Sequence, residues 1–291
     1  MFRSLPSNRN KKLPGKKVRE QITIAAERGL PLMDKVTANE YLHLIEGCFD
    51  WIKRSKSVMR GMNPFEGSAF QVPKTGKKKV RKFEIDELKA IFANPLYAKH
   101  ADTAARYWTP IVGLYTGARS NSILRLKVGD VRSEDGVTFL DINDEEYSDL
   151  SIKRTDKTAA GLRRVPVHAD LVDLGFMKFV GSRKDHEMLF PGLKPDARGK
   201  FADAFGDWFR RHLVRVGVKT GRETNFHSLR HTWDHAAENS RIHEEWRDRL
   251  QGHEKQGMRG VYGDNKTEIQ LLGEEISKLR FKGLDLRHLR R

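Results

Sequence analysis

From Thr37 onward the apolar residues Tyr41, Leu44, Ile45, Cys48, Phe49 and Ile52 recur at intervals of three and four. That period predicts an amphipathic helix to about Ser55, with Cys48 in its apolar stripe as core filler rather than nucleophile. Residues 1 to about 36 are polar and basic. Their first half is expected to be mobile, and a short helix is predicted near Val18 to Arg28, ended by the breaker Pro31. Asn63-Pro64-Phe65 predicts a turn. The stretch 67–82 (GSAFQVPKTGKKKVRK) is dense in Lys and Arg and has no hydrophobic period, so it reads as an interdomain linker able to lie along phosphates.

A second block opens at Phe83, with Ile85, Leu88, Ile91 and Phe92 at helical spacing and a further helix predicted from about Asp102 to Tyr115. Between Val137 and Val167 the pattern turns to short β-leaning runs: Val137 to Ile142, Leu150 to Arg154 and Arg164 to Val167. These predict a small three-stranded antiparallel sheet. Phe201, Phe205, Trp208, Phe209, Leu213 and Val216 then mark a long helix, and His227 to Ala237 a shorter one. The predicted class is mainly α with a small antiparallel β-sheet (α+β), organised as a helical module over 1–66, a basic linker over 67–82 and a large domain over 83–291.

Charge changes the picture. The 291 residues carry 55 Lys and Arg against 39 Asp and Glu, a net +16, and a pI near 9.9. Such an excess points to a polyanionic partner, nucleic acid first. Mean hydropathy is −0.65, no apolar run approaches the roughly 18 to 20 residues of a membrane span, and the basic N-terminus lacks the apolar core of a secretory signal. A cytoplasmic protein without membrane partners is the default expectation. The single cysteine excludes an internal disulfide framework and any zinc site needing two thiolates.

Several common sites are missing. Gly192 and Gly199-Lys200 are too far apart for a phosphate-binding loop. His231 and His235 lie one helical turn apart but have no intervening Glu and no evident third ligand. The acidic run Asp141 to Asp149 lacks the glycine of a calcium loop and reads as a solvated hairpin turn. The sequon at Asn265 has no meaning in a cytosolic chain.

Four separated pieces remain: Thr116-Gly117-Ala118-Arg119, Lys157-Thr158, His227-Ser228-Leu229-Arg230, and Gly252-His253 with Tyr262 nine residues on. In this order they resemble the tyrosine recombinases, the phage integrase family, over about residues 83 to 275. Thr37 to Phe65 is similar to the second half of that family's core-binding domain. The resemblance implies a catalytic site of Arg119, Lys157, His227, Arg230, His253 and Tyr262, without cofactor or metal. It also implies double-stranded DNA as substrate, a homo-oligomer (a tetramer on paired sites), accessory DNA-bending proteins, a nucleoid-associated enzyme and a prophage or other mobile element as source.

The residue types suit that chemistry. Two guanidinium forks, Arg119 and Arg230, can neutralise the extra charge on a five-coordinate phosphorus. A phenol with an ordinary pKa near 10 needs a base, here His227, and a positive field to act as nucleophile. The ammonium of Lys157, chosen over Lys153 and Arg154 for its position before Thr158, Arg163, Arg164 and Pro166, would protonate the leaving 5′ oxygen, and His253 would donate to a non-bridging oxygen. Tyr107 and Tyr115 read as core or rim residues.

The chain departs from the family pattern where Ser122 stands three residues after Arg119 in place of an acid, and where Gln251 replaces a Leu before Gly-His. Only about 65 residues precede the linker, so the first core-binding helices and an arm-type domain are expected to be absent. Alternatives are a weakened or silent DNA-binding remnant, or a related topoisomerase-like or telomere-resolving enzyme. The terminal stripe of Ile269, Leu271, Leu272, Ile276, Leu279 and Phe281 suits either docking on a neighbouring subunit or packing on its own domain.

Overall fold

A computed structural model of the chain describes residues 4–56, 62–72, 80–143, 161–184, 187–192, 201–218, 223–253 and 266–291. They fall into two units, 1–77 and 78–291.

The first unit holds α1 (Arg9–Lys12), α2 (Val18–Glu27) and α3 (Lys35–Lys56). Its leading residues are anchored rather than loose. Leu5 and Leu13 are buried, and Met33 N–H donates to Leu5 O at 2.7 Å. The buried Gln21 amide donates to Leu13 O and Lys16 O at 3.1 and 3.0 Å. These anchors are polar and long-range, so no hydrophobic period announces them. Asn63 makes the predicted turn, donating to Glu46 O and Asp50 Oδ1 at 2.9 Å each while accepting from Phe65 N–H at 3.0 Å. Phe70, inside the stretch read as linker, is fastened to Asn39 through both backbone groups, at 2.7 and 2.9 Å.

Cys48 is a correction. It is exposed, on the same helical face as Tyr41, Leu44 and Trp51, which are 48, 71 and 62% exposed. The apolar stripe of α3 is split: Tyr41, Leu44, Cys48 and Trp51 are exposed, whereas Ile45 and Phe49 are half-buried on the side that carries the buried Ala38 and Leu42.

The second unit runs α4 (Ile85–Phe92), α5 (Leu96–His100), α6 (Ala104–Thr116), α7 (Ser120–Leu124), β1 (Val131–Glu134), β2 (Val137–Ile142), β3 (Arg163–Pro166), α8 (Ala169–Asp173), α9 (Phe176–Gly181), α10 (Ala202–Arg215), α11 (His227–Asn239), α12 (Glu244–Gln251) and α13 (Glu268–Ser277). The class is mainly α with a three-stranded antiparallel sheet. The strand order is β1-β2-β3, with Val131 opposite Leu140 and Leu140 opposite Val165. Two predicted strands are present as β2 and β3. The run Leu150 to Arg154 lies outside the described residues, and the third described strand is β1. Its VRSE sequence is polar because it is an edge strand, exposed along most of its length.

Helix α6 is almost wholly buried. Trp108 lies edge-on to Phe176 and stacks on Phe179, with centroids 5.3 and 5.6 Å away. The terminal stripe packs on its own domain: Ile269, Leu272 and Ile276 of α13 and the following Leu279 are buried in its core.

Candidate active site

Two helix ends and one turn converge on Arg230. Helix α6 ends at Gly117, whose positive φ of 62° turns the chain out toward Arg119. A Cβ at Gly117 would stand 3.0 Å from the Trp233 ring, so glycine is required by both conformation and space. Trp233, on α11, fixes the turn from below by donating to Tyr115 O at 3.1 Å. Helix α11 itself begins at a reciprocal cap. Asn225 Oδ1 accepts from His227 N–H at 2.8 Å, and Asn225 N–H donates to Ser228 Oγ at 3.1 Å. Phe226 locks that end against Phe205 and Phe209 of α10.

From this start His227 and Arg230, three residues apart, share a face of α11. Arg230 is buried. One Nη donates to Gly117 O at 2.8 Å; the other donates to Gln251 O at 2.8 Å and to His253 Nε2 at 2.8 Å. The C-terminal carbonyls of a helix carry partial negative charge and lack intrahelical partners. In α12 arginines supply them: Arg230 at Gln251, and Arg163 Nε at Leu250 O, 2.8 Å.

The charges bear on one another. Burial first, and then the Arg119 charge, push Arg230 down to about 10, leaving it charged at neutral pH. His227 is exposed at the rim of the cluster; partial desolvation, then His231, Arg230, Arg119 and His253, push it down to about 4. His227 is therefore a neutral imidazole at pH 7, able to accept a proton. Arg119 is exposed and near enough for its charge to act on both. Arg119, His227, Arg230 and His253 are thus brought together, while Lys157 and Tyr262 lie outside the described residues.

The geometry adds to the sequence reading at several residues. The resemblance implies that His253 donates to a phosphate oxygen; in this structure its Nε2 faces Arg230, which only donates, so that nitrogen accepts. Gln251 touches the site directly through its carbonyl, and its side-chain amide returns a bond to Arg230 O at 3.4 Å. Its signal was visible only as a polar residue in a place suited to Leu. Ser122, at the position lacking the acid, is buried in α7. The hairpin arginines are engaged in structure: Arg164 pairs with Glu134 at 2.9 Å and lies over the Phe139 ring at 5.2 Å.

The tyrosines sort by burial. Tyr97, Tyr107 and Tyr115 are buried, with their phenol pKa values raised chiefly by desolvation. Tyr115 donates to Asp170 at 3.0 Å and Tyr107 to Leu289 O at 2.6 Å. None is available as a nucleophile.

The sequence matches no protein-family model and no curated protein. Solved structures do match. The chain is similar to the Tn1549 transposon integrase in complex with transposon right end DNA, at TM-score 0.55 and 18% identity over 88% of this chain and 78% of that one. The same integrase with a circular intermediate DNA gives 0.56 and 18% over 88% and 79%. The XerH site-specific recombinase bound to difH substrate gives 0.50 and 16% over 88% and 65%. At these identities the likeness is one of fold: the chain is mainly helical with a small antiparallel sheet, the fold of those tyrosine recombinases.

Proposed function

We propose that this chain is a tyrosine-type site-specific DNA recombinase, an integrase that cuts and rejoins duplex DNA through a 3′-phosphotyrosine. The observation that carries this reading is the cluster of two arginines and two histidines around the Gly117 turn, built on a fold whose solved examples include DNA-bound integrases. Arg119 and Arg230 would neutralise the phosphorane. Tyr262 would attack phosphorus, passing its proton to the neutral His227. The 5′ oxygen would leave with a proton from Lys157, and the phosphotyrosine would keep the bond energy for the reverse attack by a new 5′ hydroxyl. Work on paired sites would take a homo-oligomer, with accessory DNA-bending proteins as further partners, and would place the protein with the nucleoid.

The test uses nicked duplexes from the DNA flanking its gene, which trap the covalent state by losing the free 5′ hydroxyl. A protein band shifted on a denaturing gel, formed with EDTA present and lost in Tyr262→Phe, is the expected result. Tight binding with no such band would leave a DNA-binding protein without strand cleavage.

A further inference from the structure

We propose that Asp248 is a positioning residue that fixes the tautomer of His253, and through it the aim of Arg230. This deepens the recombinase reading and rests on it. Nothing in the pattern Gly-His singles out Asp248, since the pair is made by folding rather than by adjacency.

The geometry starts at the end of α12. Gly252 adopts a left-handed φ of 70°, which turns the chain back so that His253 N–H donates to Asp248 O at 2.9 Å. The His253 ring is thereby laid beside the Asp248 side chain, with Nδ1 3.2 Å from Oδ1. Its far nitrogen, Nε2, is 2.8 Å from an Nη of Arg230.

Donor and acceptor roles follow from the chemistry of the neighbours. A guanidinium only donates, so Nε2 must present its lone pair. The ring proton then sits on Nδ1, facing a carboxylate that only accepts. The relay Asp248, His253, Arg230 is consistent in one tautomer alone. With Nε2 protonated instead, Arg230 would meet an N–H, and its Nη would keep only Gln251 O as partner on that side. Asp248 selects the productive form, and the helix-end carbonyl of Gln251 gives the same guanidinium its second fixed point.

Two arms test this. Imidazole nitrogen NMR on the DNA-free chain reads the His253 tautomer, and single-turnover covalent-complex formation beside duplex affinity reads the consequence. Asp248→Ala is expected to populate the Nε2–H form and to slow covalent capture about tenfold, the worth of one charge-assisted hydrogen bond, with duplex affinity little changed. Asp248→Asn keeps an oxygen that accepts from Nδ1–H and is expected to restore the tautomer and most of the rate, which separates positioning from a general loss of folding. The assignment is overturned if Asp248→Ala retains the Nδ1–H tautomer, or if Asp248→Asn retains the tautomer yet is as slow as Asp248→Ala. Should the native chain form no covalent complex at all, the recombinase reading fails while the NMR arm still decides the role of Asp248.

Discussion

His227 owes its chemistry to its surroundings. Lost solvent and four cationic or protonatable neighbours hold it neutral far below the usual imidazole range. An NMR titration should find His227 ionising near pH 4, whereas a midpoint near the usual pH 6.5 would remove it as a preformed base. The linkage has a definite sign. The unfolded chain takes up this proton below about pH 6.5 and the folded one only near 4, so His227 contributes stability above pH 6.5 that is lost as pH falls toward 4. Arg230 faces a larger test. Arg230→Ala removes a preorganised cation and leaves Gly117 O and Gln251 O without their donor, so covalent capture should fall by roughly 10²–10³, measured as single-turnover rate. At this scale the sequence was informative where order and spacing singled out residues, as with His227 and Arg230. It was silent on Asp248, whose role comes from a chain reversal at Gly252.

The elements were legible in proportion to how much apolar surface they bury. Helices α4, α6, α10 and α11 follow from their stripes, whereas β1 carries one apolar residue, Val131, among polar and exposed ones and so shows no alternation. Its trace was the Asp135-Gly136 pair, both at positive φ, 51 and 78°, the signature of a tight hairpin turn. Cys48 was misplaced for the complementary reason: a stripe records that a helix face is apolar, not that its own unit covers it. The Gly117 turn offers an element-level test. Gly117→Ala forces a side chain into a left-handed conformation against Trp233 and should cost about 1–3 kcal/mol, read as a Tm lowered by roughly 2–4 °C per kcal/mol for a domain of this size. An unchanged Tm would mean the turn relaxes freely. In α13, Ile276→Ala should cost about 2–5 kcal/mol if the helix belongs to its own core, checked by denaturant unfolding at several protein concentrations. A loss that depends on concentration would point instead to a neighbouring subunit.

Across the whole molecule the net charge of +16 sets the terms of binding. If phosphates supply most of the affinity, raising salt from 50 to 200 mM should weaken duplex binding by roughly 10³–10⁵ for six to ten contacts, measured by fluorescence anisotropy. A flat salt response would contradict a phosphate-tracking surface. Binding alone does not establish cleavage, because a silent DNA-binding chain would share that slope. The central claim is the covalent bond, and its most direct measurement is peptide mass spectrometry of the complex trapped on a nicked duplex. After nuclease and trypsin digestion, the peptide Gly260 to Lys266 is predicted to carry a 3′-phosphonucleotide on Tyr262. The same peptide found only unmodified, or the adduct found on another residue, would contradict the account.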